Sequence, residues 1–252
     1  MRSRGTPITT GPIQGLVPDV DRVTTGLLAL RRELPDAQIH VALPSLPNAG
    51  AIRAVDAFGA SFAVASRGEI DTLERHGVAI GRCLHTRPVR TVADITGSYL
   101  RGIRTFVIDS VDEIAKFQEL PDAAVLVLLA ARGRGSTSSR PSGVALRDAR
   151  ALVERCARVG LRVAGFRIHT GGGASSNAAP ASARDIRRTL ALMRRLERTR
   201  DIRFDTLDLG GGLPAVSERL VTEQAVQARG IRSALAHAPS RYRIIVEAGY
   251  AA

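Results

Sequence analysis

The residues of this chain that could hold a charged ligand lie directly after strand-like segments. Gly210, Gly211 and Gly212 follow the run DTLDL. Three consecutive glycines let backbone N–H groups approach an anion closely, because no Cβ stands in the way. A flexible turn into the next helix is the alternative explanation. This glycine run is therefore a candidate anion-binding loop.

Two further candidates end strand-like runs of their own. Glu247 follows RYRIIV, and a carboxylate buried there needs a partner. That partner would be either a protonated ring nitrogen of a ligand or one of the many arginines. His169 ends GFRIH and precedes a second glycine run. Ligand contact and a hydrogen-bonded structural role both remain open for this histidine.

The composition limits the classes of function. The 252 residues carry a net charge of +12, almost all from arginines spread along the chain. A nucleic-acid footprint would be clustered and interleaved with aromatic residues, so nucleic-acid binding is not indicated. Cys83 and Cys156 are too isolated for a disulfide framework or a metal site, and we expect buried free thiols.

No membrane segment is apparent in the sequence. The N-terminus has no apolar signal-type core. The longest apolar run, Ala123–Ala131, is far shorter than the roughly 20 residues that a membrane span needs. The sequence thus predicts a cytoplasmic protein.

Short apolar runs alternate with amphipathic helical patterns along the chain. The predicted strands are Ile39–Ala42, Ser61–Ala65, Arg82–His85, Thr105–Ile108, Ala124–Leu129, Val163–His169, Thr206–Leu209 and Arg243–Val246. The predicted helices include Asp19–Glu33, Gly50–Phe58, Glu69–His76, Val111–Glu119, Leu146–Val159, Ala183–Thr199 and Val216–Ala236. Ser66 and Glu69 predict a capping box at the start of one of them.

This alternation predicts the fold class and the domain organisation. Strict strand–helix alternation implies a parallel α/β sheet, and eight units imply closure into a (β/α)8 TIM-type barrel. An open, doubly wound sheet is the rival. We expect one barrel over residues 19–252, preceded by an N-terminal extension over residues 1–18. In such a barrel, the candidate residues would all lie at the C-terminal mouth.

Six segments of the chain, in order, carry a resemblance to a known family. They are ELPDAQIHVALPSLPN, FGASFAVASRGEI, FVIDSVDEI, GFRIHTGGG, LDLGGGLP and VEAGY. Each resembles a motif of the ornithine/diaminopimelate/arginine decarboxylases, which are pyridoxal-phosphate enzymes built on an alanine-racemase-like barrel. The matches run along nearly the whole chain, and six ordered matches are far more specific than any one of them.

The resemblance implies pyridoxal 5'-phosphate as the cofactor and gives each candidate residue a role. His169 would stack on the pyridine ring. Gly210, Gly211 and Gly212 would hold the phosphate. Glu247 would pair with the ring nitrogen and keep it protonated, so that the ring can accept electrons.

The chain departs from the family where the chemistry needs particular side chains. A gapless alignment places Pro44 at the position of the Schiff-base lysine, and proline cannot form an imine with the coenzyme. Ala63 replaces an acid, Gly172 a phosphate-binding serine, and Tyr250 an arginine. The one lysine, Lys116, falls on the helix after the fourth strand. No catalytic residue can be assigned, and the cofactor would be held noncovalently.

Three hypotheses about function follow. The first is a catalytically impaired decarboxylase homologue that keeps a pocket for an amino acid or phosphate ligand. It would form a homodimer, or a heterodimer that regulates an active paralogue, as the family's inactive members do. The second is an active enzyme with altered chemistry, favoured by the retention of His169 and Glu247. The third is a truncated product, because the family continues into a β-domain that we expect this chain to lack.

Overall fold

Eight parallel strands pair in sequence order and close into a barrel through the first and the last. The computed structural model describes residues 20–46, 48–130, 143–169, 178–200, 202–211 and 221–249. The strands are β1 (Gln38–Ala42), β2 (Ser61–Val64), β3 (Leu84–His85), β4 (Thr105–Ile108), β5 (Ala124–Leu128), β6 (Arg162–Arg167), β7 (Thr206–Asp208) and β8 (Arg243–Ala248). The predicted (β/α)8 barrel is confirmed, and the open sheet is excluded.

Seven α-helices surround the strands in the described part of the chain. They are α1 (Val20–Glu33), α2 (Ala49–Ala57), α3 (Arg67–Arg75), α4 (Val92–Leu100), α5 (Ala149–Arg158), α6 (Ala178–Arg200) and α7 (Val221–Leu235). The segment after β4, which the periodicity predicts as α-helical, forms a 3-10 helix instead, Val111–Phe117. Glu113 and Lys116 form an ion pair of 2.6 Å within it. Residues three apart eclipse one another in a 3-10 helix, so this pair matches the tighter geometry.

The start of α3 differs in one detail from the predicted capping box. The Ser66 hydroxyl accepts a hydrogen bond from the Glu69 N–H at 3.3 Å, as expected. The Glu69 carboxylate, however, accepts from the N–H of Ala65 at 2.7 Å rather than from that of Ser66. The complete reciprocal box lies at the start of α4, between Thr91 and Asp94. Both arrangements satisfy N–H groups that a helix start leaves without partners.

The core has two layers. The larger one lies between the strands and the helices, and it contains Phe62, Phe106, Phe166 and Phe204. The smaller one lies inside the barrel and consists of Leu84, Val107, Ala124, Leu126, Leu128, Ala164 and Ile245. Cys83 and Cys156 are free and buried. Burial raises the pKa of Cys83 to about 11 and that of Cys156 to about 12.

A close approach of β6 and β7 depends on one glycine. Gly165 pairs with Thr206, and a Cβ on Gly165 would lie 1.7 Å from the Thr206 carbonyl oxygen. Only glycine fits that contact. Two residues further on, the same register pairs Arg167 with Asp208. The glycine therefore helps to set two charged side chains beside each other at the carboxyl ends of these strands.

Residues 1–18, predicted as an N-terminal extension, lie outside the described residues. None of the helices in the described part of the chain combines the length and the apolar character that crossing a membrane requires.

Candidate active site

Three charged side chains meet inside the mouth of the barrel. Arg167 ends β6, Asp208 ends β7, and Glu247 lies near the end of β8. Side chains alternate between the two faces of a strand. Leu128 belongs to the interior layer and pairs with Arg167, which in turn pairs with Asp208. Asp208 pairs with Ile245, two residues before Glu247, so all three side chains face inward.

The three side chains form one buried ion cluster, in which Arg167 lies between two carboxylates. Arg167 Nη1 lies 2.5 Å from Asp208 Oδ2, and Arg167 Nη2 lies 2.8 Å from Glu247 Oε2. Arg167 Nη1 also donates to Glu247 Oε1. The Glu247 carboxylate is therefore bound through both oxygens. The side chains of Arg167, Asp208 and Glu247 are only 6%, 0% and 7% exposed.

Burial and mutual charge determine how the cluster titrates. Burial raises the pKa of Asp208 to about 7; the nearby Glu247 carboxylate adds to this, and Arg167 opposes it. Burial lowers the pKa of Arg167, but the two carboxylates outweigh it, and the pKa lies above its ordinary value. Arg167 is therefore charged at all ordinary pH values. The cluster can gain or lose one proton near neutrality.

The partner of Glu247 is thus an arginine, which is one of the two alternatives that the sequence leaves open. Sequence reasoning did not single out Arg167. The signal was present in GFRIH, where Phe166 and Ile168 are buried and Arg167 is the charged residue between them. In a buried parallel strand, a charged residue between two apolar ones that face the helices must face the barrel interior.

His169 lies just beyond β6, at the rim of the mouth, where its side chain is exposed. Partial desolvation lowers its pKa, and the charge of Arg167 lowers it further. The Glu247 charge and a hydrogen bond with the Gly211 backbone oppose this shift. A cavity of about 130 Å³ beside His169 is also lined by Asp185 and Arg188. The structure therefore brings His169 and the glycine run together.

The glycine run has a structural role at its first position. Gly210 has a φ of +62°, and a Cβ there would lie 2.4 Å from the Ile168 carbonyl oxygen. Its N–H donates to Asp208 Oδ1 at 2.8 Å, and its carbonyl accepts from the Glu247 N–H at 3.1 Å. Gly211 lies against Glu247, since a Cβ there would be 3.8 Å from Oε2. Gly212 lies outside the described residues.

The described part of the mouth holds no amine side chain. Pro44 is the exposed residue of a short 3-10 turn, Leu43–Ser45, directly after β1. Lys116 is the only lysine of the sequence. Its Nζ donates to Glu113 Oε1 and to the Arg90 carbonyl, each at 2.6 Å. Ala63, on β2, offers only a methyl group to the barrel interior. Gly172 and Tyr250 lie outside the described residues.

Comparison with known proteins agrees with this arrangement of strands and loops. The profile of the family described as "Pyridoxal-dependent decarboxylase, pyridoxal binding domain" matches residues 20–252. The lysine/ornithine decarboxylase of Selenomonas ruminantium is 28% identical over 209 residues, which is 81% of this chain and 52% of that protein. Antizyme inhibitor 2 of Xenopus laevis is 25% identical over 205 residues, which is 80% of this chain and 44% of that protein.

A solved structure shows the same fold. The crystal structure of lysine/ornithine decarboxylase from Vibrio vulnificus complexed with putrescine superposes with a TM-score of 0.81 at 28% identity. The match covers 92% of this chain and 61% of that one. The chain spans about half the length of the curated relatives it matches. Because the family profile matches nearly the whole length of this chain, the chain belongs to the family of pyridoxal-binding barrels of the pyridoxal-dependent decarboxylases.

Proposed function

We propose that this barrel is a catalytically impaired homologue of the amino-acid decarboxylases, and that it binds pyridoxal phosphate or a related phosphate noncovalently. The observation that carries the proposal is the absence of an amine from the described part of the mouth. The family's chemistry needs a lysine that forms an imine with the coenzyme aldehyde. Pro44 stands at that position in the alignment, and the nitrogen of proline is part of the backbone.

Lys116 offers no substitute for the missing lysine. Its ammonium group makes two hydrogen bonds, one to the Glu113 carboxylate and one to the Arg90 carbonyl. The Glu113 side chain is 3% exposed, so withdrawing Lys116 would leave a buried carboxylate without its cation. Breaking a buried ion pair in this way costs about 3–5 kcal/mol. The coenzyme is therefore expected to find no amine.

The ring-nitrogen side of the pocket also fits the coenzyme poorly. Glu247 is the residue that would hold a protonated pyridine nitrogen, and both of its oxygens are bound to Arg167. A ring nitrogen would have to displace a buried guanidinium that also serves Asp208. Breaking such a pair costs several kcal/mol, more than one hydrogen bond returns. The residues on this side of the pocket therefore do not fit the coenzyme's ring nitrogen.

The phosphate side is the part of the pocket that remains suited to a ligand. Gly210 is tied into the turn, because its N–H donates to Asp208. We propose that Gly211 and Gly212 supply the anion-binding N–H groups and that Gly210 shapes the loop that presents them. His169, which is exposed at the rim beside Gly211, would contact the rest of the ligand. Glu247 would contribute indirectly, by holding Arg167 in place.

Titration with pyridoxal phosphate tests this proposal. Absorbance would follow binding, and borohydride reduction with mass spectrometry would reveal any covalent adduct. We expect weak saturable binding without an adduct, and no release of carbon dioxide from ornithine or lysine. No binding of either pyridoxal phosphate or inorganic phosphate would refute the proposed phosphate site. A reduced adduct on Lys116, or turnover in the presence of added coenzyme, would instead establish an active enzyme with altered chemistry.

A second candidate function is regulation of an active paralogue through a heterodimer. The observation that favours it is the similarity to proteins named antizyme inhibitor 2, from Xenopus laevis and Mus musculus, at 25% and 26% identity. Their name describes action on a protein. Native mass spectrometry of this protein mixed with an active decarboxylase of the same family would test the candidate. A mixed dimer that changes the decarboxylase rate supports it, and unchanged homomeric species refute it.

A further inference from the structure

A second cavity opens at the opposite end of the barrel from the mouth. It has a volume of about 530 Å³. Gln38, Ser61, Thr105 and Arg243, which are the first residues of β1, β2, β4 and β8, all line it. It therefore enters the barrel from the amino-terminal ends of the strands. This opening is the base cavity.

The base cavity exists because small or polar side chains occupy interior positions that a barrel usually fills. Bulky branched residues normally pack these layers. Here Ser61, which the register places beside His40, and Thr105, which it places beside Leu84 of the apolar layer, occupy such positions. These side chains leave room below the apolar interior layer. The volume lies within the range of about 300–1,000 Å³ that is typical of small-molecule sites.

The lining of the base cavity is cationic. Arg31, Arg82 and Arg243 line it together with a single carboxylate, Asp36. Arg82 is paired with Asp56. Among the described residues, Arg31 and Arg243 have no carboxylate partner within ion-pair distance. Arg31 lies over the Phe58 ring, 5.5 Å from its centroid, and Arg243 Nη2 donates to Thr206 Oγ1 at 3.1 Å. Neither contact neutralises the guanidinium, so both groups keep their charge and further N–H donors for an anion.

The inner end of the base cavity contains a buried polar atom that has no hydrogen-bond partner among the described residues. It is the Nδ1 atom of His40, a residue that lines the cavity and is only 4% exposed. A buried polar atom left in this state destabilises the folded protein. A ligand that reached this atom would remove that destabilisation. Arg82 also lines the cavity, and its Nε is buried and has no hydrogen-bond partner within the described part of the chain.

We propose that the base cavity is a binding site for a small, multiply charged anion, namely a metabolite that carries phosphate or carboxylate groups. Arg31 and Arg243 hold the charged groups at the opening. The His40 imidazole hydrogen-bonds the part of the ligand that enters the barrel. The site shares no residue with the mouth, so it stands or falls independently of the function proposed above.

Calorimetric titration with pyrophosphate and with citrate, at constant ionic strength, tests the proposal. We expect saturable binding of at least one of them. Because a charge-assisted hydrogen bond contributes enough to change affinity by roughly tenfold or more, Arg243→Ala and Arg31→Ala should each weaken binding by about that factor. Arg53→Ala, which removes an exposed arginine outside the cavity, is the matched control and should bind as the wild type does.

Histidine-selective NMR of the unsubstituted protein supplies a readout that needs no variant. Pyrophosphate or citrate should shift the imidazole resonances of His40 and leave those of His169, at the other end of the barrel, in place. The tighter of the two anions identifies the ligand chemistry. Roughly 10 mM anion is enough to reveal even a millimolar Kd, so the proposal fails if neither anion saturates the protein at that concentration. It also fails if the His40 resonances do not shift, or if Arg53→Ala weakens binding as much as Arg31→Ala and Arg243→Ala do.

Discussion

Arg167 and Glu247, which lie 80 positions apart in the chain, are joined by a buried two-pronged ion pair across the mouth of the barrel. The guanidinium engages both carboxylate oxygens and, at the same time, Asp208. Arg167 therefore occupies both oxygens of Glu247, the residue that the resemblance to the decarboxylases pairs with the ring nitrogen of the coenzyme. The negative charge of Glu247 is neutralised by the protein itself.

Replacing Arg167 by methionine should destabilise the protein strongly. The change leaves Asp208 and Glu247 buried together without a cation, and breaking a buried pair costs about 3–5 kcal/mol. Urea denaturation at pH 8 would measure the loss in the free energy of unfolding. The matched control is Arg162→Met, because Arg162 lies on β6 as Arg167 does. Its side chain is 56% exposed and pairs with Asp205, so this variant removes a surface ion pair. That loss should be about 0–1 kcal/mol. Equal losses for the two variants would show that the cluster contributes no special stability.

A lysine introduced at the mouth should capture much more pyridoxal phosphate when Arg167 is also removed. Pro44→Lys alone supplies an amine, but Glu247 stays bound to Arg167. In the double variant Pro44→Lys, Arg167→Ala, Glu247 is free to meet a ring nitrogen. We expect borohydride-trapped adduct on residue 44 in the double variant and much less in the single one. Equal trapping in both variants would mean that Arg167 does not restrict the pocket, and Arg162→Ala in place of Arg167→Ala controls for lost charge.

Gly210→Ala should destabilise the glycine loop more than a comparable substitution elsewhere. Gly210 has a φ of +62°, and an added Cβ would lie 2.4 Å from the Ile168 carbonyl oxygen. The left-handed backbone alone costs about 1–2 kcal/mol for a residue with a side chain, and the clash adds to that cost. Gly160→Ala is the control, because its φ is +74° and nothing lies within 4 Å of the added Cβ. Thermal unfolding should show a larger loss for Gly210→Ala, and equal losses would show that the backbone conformation accounts for both.

His40 should make stability fall as the pH is lowered through the acid range. Burial lowers its pKa to about 4, against an ordinary value of 6.5. Between these two values the unfolded chain binds a proton that the folded protein does not, so the free energy of unfolding decreases as the pH falls from about 6.5 to 4. One proton corresponds to a slope of roughly 1.4 kcal/mol per pH unit. His40→Leu should reduce the measured slope in this window by up to that amount.

Asp208 should act in the opposite direction over a similar range. Its pKa in the folded protein is raised to about 7 from an ordinary value of 3.8. The folded state therefore binds a proton that the unfolded chain does not, and this group contributes stability as the pH falls from 7 towards 4. Burial also lowers the pKa of His85, to about 3. Asp208→Asn should therefore steepen the loss of stability that His40 and His85 produce as the pH falls. A shallower slope in Asp208→Asn would contradict the raised pKa.

The barrel and its outer shell were readable from the sequence because they depend on local patterns. Apolar runs at strand length, separated by amphipathic helices, placed all eight strands within a few residues of their observed bounds. Among the predicted helices, the segment after β4 differs in type. The same periodicity suits an α-helix and the 3-10 helix that the structure has there, which contains Glu113 and Lys116. The position of Pro44 was also a matter of sequence alone, because it follows from alignment with the family's motif.

The contacts of the charged residues were decided only by the tertiary structure. Sequence left Glu247 with two kinds of partner, and the choice of Arg167 depends on β6, β7 and β8 lying side by side in one register. The base cavity is the same kind of feature, because His40, Ser61, Thr105 and Arg243 come from separate strands and meet only when the barrel closes. Strand type and order follow from patterns within each segment, whereas the partner of a buried charge follows from register between segments far apart in the chain.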